Sequence, residues 1–359
     1  MAISKRERWR PGRIIVTRRK RRYFHSVNDL LVGLLGALLA TSQAAAAASQ
    51  SDQQKTGVTV TVPNPDDPTE KAYRRLLEKD DAAHEEIDKW ILEEGRLRKK
   101  GAGLSEQTLI LRIEQRQKKV EDAYRSFLLR HSRHTRARLA FGGFLNEQGR
   151  EQEAAKQWEK ARELEPDNPA PWNNLANVYG HSGPVEKAFD YYQKAIDLAP
   201  FEAVYHHNLA VTIYLHRKAA REHFKIDEDA VFDKSLALYR QALKLQPNNF
   251  ELATDFAQSY YGIRPPRIKD AIKAWDGALK IARDDFEREG VHIHLARFEI
   301  NAGEFAAARA RLKGVKDERY KGLVKRVMSS LERKEAAVRD LSEAGAPAPA
   351  AEPAVPIGQ

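Results

Sequence analysis

The chain has 359 residues, 42% of them hydrophobic, and 61 Lys and Arg against 51 Asp and Glu give a formal net charge of +10. It contains no cysteine, which excludes disulfides, a thiolate nucleophile and cysteine-ligated metal, and leaves stability to packing alone. The charge sum alone would suggest a polyanionic partner, but residues 1–29 hold ten Lys and Arg against Glu7 and Asp29, a net +8 that leaves only +2 for the rest.

The basic stretch runs into LLVGLLGALLA at 30–40 and then TSQAAAAASQ, and residues 30–48 carry no charge. A basic n-region, a short apolar core and small residues after it describe a secretory signal peptide, with cleavage after Ala44 or Ala48. The run is short for a spanning helix, which needs roughly 20 residues. Counting the alanines extends it to Ala48, so residues 1–48 are expected to be a signal peptide or an uncleaved N-terminal membrane anchor. Either way the basic flank stays behind, and the rest of the chain is expected in the periplasm or cell envelope. Arg21, Arg22 and Phe24 resemble the RRxF core of twin-arginine signals, with Lys20 and His25 departing from it.

Residues 49–67 are expected to be a linker, with VTVTV at 58–62 as a short extended segment. Two helical patterns follow, about 68–99 and 105–131, carrying Ile87, Trp90 and Ile91 and then Tyr124, Phe127 and Leu128. They predict an N-terminal helical cap over 68–134, whose later helix spaces Val120, Tyr124 and Phe127 like half of a helical repeat.

Beyond this cap a pattern recurs. NVYGHSGPVEKAFDYYQKAIDLAP at 177–200 places Tyr179, Gly183, Ala188, Tyr192, Ala195 and Pro200 so that it reads as helix, tight turn, helix. A shift of 34 residues sets Leu145, Gly149, Ala154, Trp158, Ala161 and Pro166 opposite the same six positions. A 34-residue helix-turn-helix with small residues at the helix contact, large ones filling the groove and Pro ending the second helix resembles the tetratricopeptide repeat (TPR) family. The unit with Trp172, Leu175, Ala176, Tyr179, Ala188, Tyr192, Ala195 and Pro200 carries every signature position.

The resemblance implies an all-α, right-handed superhelical solenoid of helix-turn-helix repeats with helical caps. The units fall at 135–168, 169–202, 203–249 with an insertion, 250–288 and 289–318, the last with Glu299 where an aromatic is usual. Tyr320, Leu323, Val324, Val327, Met328 and Leu331 keep the helical period and predict a capping helix over 319–341. The Ala/Pro-rich tail 342–359 is expected to be disordered.

A search for chemistry returns none. There is no phosphate loop, HExxH, GxSxG or SxxK, and the pairs His206/His207 and His292/His294 do not share a helix face. No cofactor or metal is expected. The aromatics Trp158, Tyr192, Tyr239 and Trp275 occupy the groove-filling repeat position and are read as core. Carboxylates in the runs at 80–86 and 282–289 are read as solvated helix faces.

In the resembled family the first helices line a concave groove that holds an extended peptide or a partner helix. Carried onto this chain, that implies Asn173, Asn177, His207, Asn208, Tyr214, Gln258 and Tyr261 as groove residues, since Asn amides can pair with both N–H and C=O of a peptide. Family members that clamp a C-terminal carboxylate use two Asn, matched by Asn177 and Asn208, with basic residues. Here Asn173, Glu251 and Asp255 stand in the basic positions, so a neutral or basic segment is expected instead. The insertion HRKAAREHFK at 216–225 is expected to project as a basic arm with Arg217, Lys218, Arg221 and Lys225, and residues 309–334 form a second basic surface. Either suits an anionic lipid, an acidic polymer or an acidic protein.

The sequence therefore predicts a non-catalytic interaction scaffold exported to the cell envelope and binding a protein or peptide partner in the groove. The alternatives are a membrane-anchored assembly subunit of an envelope polysaccharide or secretion complex, and an enzyme using carboxylates of the N-terminal helices. The near-neutral balance after residue 29 argues against nucleic acid, and no oligomeric state is assigned.

Overall fold

The computed structural model describes residue 64 and residues 66–343. The expected signal or anchor segment 1–48, nearly all of the linker 49–67 and the tail from residue 344 lie outside the described residues. Those described contain fourteen α-helices and no strand, and form two compact units, one ending at Glu165 and the other beginning at Pro166.

The first unit holds α1 (Pro68–Arg98), α2 (Glu106–Arg130), α3 (Thr135–Glu147) and α4 (Glu151–Leu164). Asp67 starts α1 by accepting the N–H groups of Thr69 and Glu70, and Ser105 starts α2 by accepting that of Thr108. Tyr124 of α2 stacks on Phe141 of α3 with ring centroids 5.2 Å apart, and the Tyr73 hydroxyl of α1 donates to the Arg136 carbonyl at 3.2 Å. Gly142 of α3 lets α4 approach. A Cβ there would lie 2.2 Å from the indole nitrogen of Trp158, which donates to the Leu139 carbonyl.

The second unit stacks α5 (Pro169–Ser182) on α6 (Val185–Leu198), then α7 (Ala203–Leu215), α8 (Arg217–Phe224) and α9 (Glu228–Leu245). Next come α10 (Phe250–Ser259), which runs on as a 3-10 turn at Tyr260–Gly262, α11 (Ile268–Lys280), α12 (Asp285–Ala302) and α13 (Phe305–Gly314). After a 3-10 turn at Glu318–Tyr320, α14 (Lys321–Glu343) follows. Asn168, with Pro169 in the first turn, and Asn249 cap α5 and α10 through side-chain oxygens on backbone N–H groups. Ala188 and Ala195 are fully buried where helices meet, and Tyr192 and Trp275 fill the space between them. Val327 and Leu331 of α14 close the far end against Ile293, Ala296 and Leu312.

The insertion corrects one expectation. Residues 216–225 do not project as an arm: all but the capping His216 and Lys225 form the separate eight-residue α8, whose Ala220 is fully buried and whose Phe224 ring lies 5.3 Å from Phe189. Ala219, Ala220 and Phe224 give this helix an apolar stripe, and burying that stripe folds it back onto the stack.

Candidate partner-binding face

The face is built by the first helices of three successive hairpins of the second unit, α5, α7 and α10. Asn177 on α5 is half-buried, and its Oδ1 accepts the hydroxyl proton of Tyr192 at 2.6 Å. Asn208 on α7 is also half-buried, and its Nδ2 donates to Oδ1 of Asn173 at 2.9 Å. The two amides are thereby set in opposite senses: Asn177 keeps its Nδ2 donors spare, and Asn208 keeps its Oδ1 acceptor spare.

Asn173 itself is fully buried, with its Nδ2 directed at Oδ1 of Asn174 at 3.3 Å. Its expected role as a direct groove contact is corrected: it is enclosed between α5 and α7 and orients Asn208 from beneath. Tyr261 is corrected too. It is buried, its ring packs on Phe298 with centroids 4.6 Å apart, and its hydroxyl meets Nδ1 of His294 at 2.8 Å. Tyr214 is half-buried with its hydroxyl turned onto the backbone of Gly262, where a Cβ would lie 2.2 Å away. Its role is to seat α7 on the end of α10.

His207 is half-buried, with Nε2 3.1 Å from Oδ2 of Asp255 on α10, while Gln258 and Glu251 stand exposed. The surface face therefore comprises Asn177, Asn208, His207, Asp255, Glu251 and Gln258. Sequence reasoning did not find the orienting roles of Tyr192 and Asn173. The signal for Tyr192 was present, since a buried tyrosine hydroxyl needs a partner. For Asn173 the signal was its place one turn before Asn177, a line that runs inward.

Of the basic residues on the insertion, Lys218, Arg221 and Lys225 are exposed. Arg217 is half-buried, donating to the Tyr214 carbonyl at 2.9 Å and lying over the Phe232 ring. Part of the C-terminal basic surface is paired internally, as in Arg309 with Glu335 and Arg311 with Glu299.

The carboxylates of the N-terminal helices converge at one place. Nδ1 of His84 lies 3.3 Å from Oδ1 of Asp80 and Nε2 lies 2.8 Å from Oε2 of Glu147, while the Tyr124 hydroxyl donates to Asp80 at 2.5 Å. Hydrogen bonds to Asp80 and Glu147 push the His84 imidazole up to about 11. The cavity beside them has room for roughly one water molecule, far below a ligand pocket. Elsewhere His294 is pushed down to about 3, by burial first and the Arg297 charge second. Among the described residues no group of three or more His, Asp or Glu is arranged to hold a metal ion, and no helix is long and apolar enough to cross a membrane.

Residues 144–183 match the TPR repeat family model and residues 170–202 match the tetratricopeptide repeat model. The chain is similar to the Photosystem I assembly protein Ycf3 of Rippkaea orientalis, 33% identical over 78 residues that make up 21% of this chain and 45% of that protein. Ycf3 of Cyanophora paradoxa is 31% identical over the same shares of each chain, so the chain spans about half the length of these curated relatives. Among solved structures it is similar to pilF of Pseudomonas aeruginosa, with 14% identity, 69% of this chain and 99% of that one covered, and a TM-score of 0.45. It is also similar to YrrB, described as a TPR protein with an unusual peptide-binding site, with 14% identity, 59% and 99% covered, and a TM-score of 0.44. The recurring helical hairpins and the family matches identify tetratricopeptide repeats within residues 144–202.

Proposed function

We propose that the chain is a non-catalytic scaffold of the cell envelope that holds an extended segment of a partner protein across α5, α7 and α10. The observation that carries this reading is the opposite setting of Asn177 and Asn208. One presents spare N–H donors and the other a spare carbonyl acceptor, each fixed by a second hydrogen bond from within the stack. A peptide group offers one acceptor and one donor, so the pair complements backbone without regard to side chain.

Glu251 and Asp255 flank the amides, and His207 is the one partner shown for Asp255. That balance favours a neutral or basic segment and repels a C-terminal carboxylate. TPR proteins are in general non-catalytic and bind protein partners, and similarity to a protein named for assembly is in keeping with a scaffold. Export rests on the sequence of residues 1–48 alone.

The reading is tested by photo-crosslinking in the native cell from a probe at exposed Gln258, with a control probe at Gln193 on α6. A discrete protein captured from 258 alone, and lost when Asn177→Ala and Asn208→Ala are introduced together, is the expected result. Capture that survives the double substitution would move the site off this face.

A further inference from the structure

α1 and α2 have 31 and 25 residues, against 13 and 14 for α3 and α4. Ties from α1 and α2 to α3 and α4 include His84 to Glu147 and Glu121 to Arg150, and the small cavity between them is lined as far as Ile87 and Gln117. Past Ile87, α1 continues for roughly 16 Å at 1.5 Å per residue.

This overshoot is a built feature held by its own contacts. Arg116 donates to Glu86 at 2.7 Å, and the Arg112 guanidinium lies 3.8 Å from the Trp90 ring centroid. Glu94 is buried at 7% exposure, and its carboxylate accepts the Leu104 N–H at 2.8 Å, which fixes the turn. Gly103 makes that turn at φ +116°, where a Cβ would lie 2.6 Å from the Glu94 carboxylate.

Five of the nine large apolar side chains exposed among the described residues fall here: Ile91, Leu92, Leu104, Ile110 and Leu111. Ile91 and Leu92 are sequence neighbours and diverge by about 100° around the helix, as do Ile110 and Leu111. Each helix thus exposes an apolar arc of about 100° close behind the turn.

At the turn stand Arg96, Arg98, Lys99 and Lys100, all exposed, with no acidic residue between Glu94 and Glu106. Unlike Arg116, these four make no ion pair with any described residue. Basic side chains at the turn, with exposed apolar ones beside and just behind them, match the headgroup and upper acyl region of an anionic bilayer.

We propose that the α1–α2 tip, residues 91–111, inserts into the interfacial layer of a membrane containing anionic phospholipid. The proposal does not depend on the groove residues, and Asn177→Ala with Asn208→Ala leaves it unaffected.

The test uses the full chain, whose lack of cysteine allows Ala102→Cys, or Gln193→Cys as control, to carry a single environment-sensitive fluorophore. Each is mixed with phosphatidylcholine vesicles with or without roughly 30% phosphatidylglycerol. The expected result is a blue-shifted emission from position 102 alone, quenched by a lipid-borne quencher and dependent on phosphatidylglycerol. Changing Arg96, Arg98, Lys99 and Lys100 together to Gln should weaken this response by about tenfold or more. Leu104→Ser with Ile110→Ser and Leu111→Ser should abolish the quenching, with circular dichroism confirming that both variants stay folded. A probe at 102 that remains in water while the protein binds vesicles, that responds equally without phosphatidylglycerol, or that ignores both sets of substitutions would overturn the proposal.

Discussion

Asn208 on α7 donates its amide to the fully buried Oδ1 of Asn173 on α5 at 2.9 Å. One hydrogen bond thus joins neighbouring hairpins and fixes which atom of Asn208 is left for a partner. Asn173→Ala should weaken partner capture although residue 173 touches no partner, and should cost about 1 kcal/mol of stability by leaving the half-buried Asn208 amide without its acceptor. Asn173→Asp keeps the acceptor oxygen and should retain more capture than Asn173→Ala. Urea midpoints for both variants, set beside crosslinking yield from Gln258, separate the orienting role from simple destabilisation.

Close approach of α3 and α4 requires glycine at 142. Gly142→Ala puts a methyl group 2.2 Å from the Trp158 indole nitrogen, and is expected to destabilise by about 1–3 kcal/mol as overpacking does. Gly277 on α11 is exposed, with nothing within 4 Å of a Cβ. Gly277→Ala should therefore stabilise by about 0.5–1 kcal/mol through helix propensity alone. Chemical denaturation of the two variants should move in opposite directions.

The all-α hairpin fold was legible because each small or large residue of the repeat has one geometric job. Ala188 must be small where helices touch, and Tyr192 must be large between them, so the 34-residue spacing carries the architecture directly. The binding face was less legible, since a single turn of α5 separates a half-open amide from an enclosed one. Asn173 and Asn177 look alike in sequence, yet one is enclosed and the other half-open. The insertion misled for another reason: its charges suggested projection, while three apolar positions, Ala219, Ala220 and Phe224, decided its place.

Two histidines should give stability opposite pH slopes. His294 lies flat on Trp275 at 4.1 Å and shares a hydrogen bond with the Tyr261 hydroxyl, and burial pushes it down to about 3. Between about 6.5 and 3 the unfolded chain takes up a proton that the folded chain refuses, so stability falls as pH drops through that window. His294→Phe should flatten the slope there. His84 is pushed up to about 11 by Asp80 and Glu147, so its contribution is full below about 6.5 and is lost as pH rises toward 11. The stability gap between His84→Gln and the parent should therefore shrink steadily from pH 7 to pH 10. A gap that widened instead would mean that the imidazole is neutral in the folded chain.

Glu299 occupies a position where the repeat pattern favours an aromatic, and its side chain is 4% exposed. Arg311 of α13 donates Nε to its Oε1 at 2.5 Å, while Oε2 is buried without a hydrogen-bond partner among the described residues. Arg311→Ala should thus strand a buried carboxylate and cost about 3–5 kcal/mol, toward the lower end because Arg311 is itself partly exposed. Replacing both residues, Glu299→Met with Arg311→Met, removes the two charges together and should recover most of that loss. Arg311 also lies 3.2 Å from Nδ1 of His292, whose ionisation is held down by burial first and by this guanidinium second. An NMR titration of His292 should accordingly shift upward in Arg311→Ala. A double variant as unstable as the single one would show that the pair serves packing rather than charge balance.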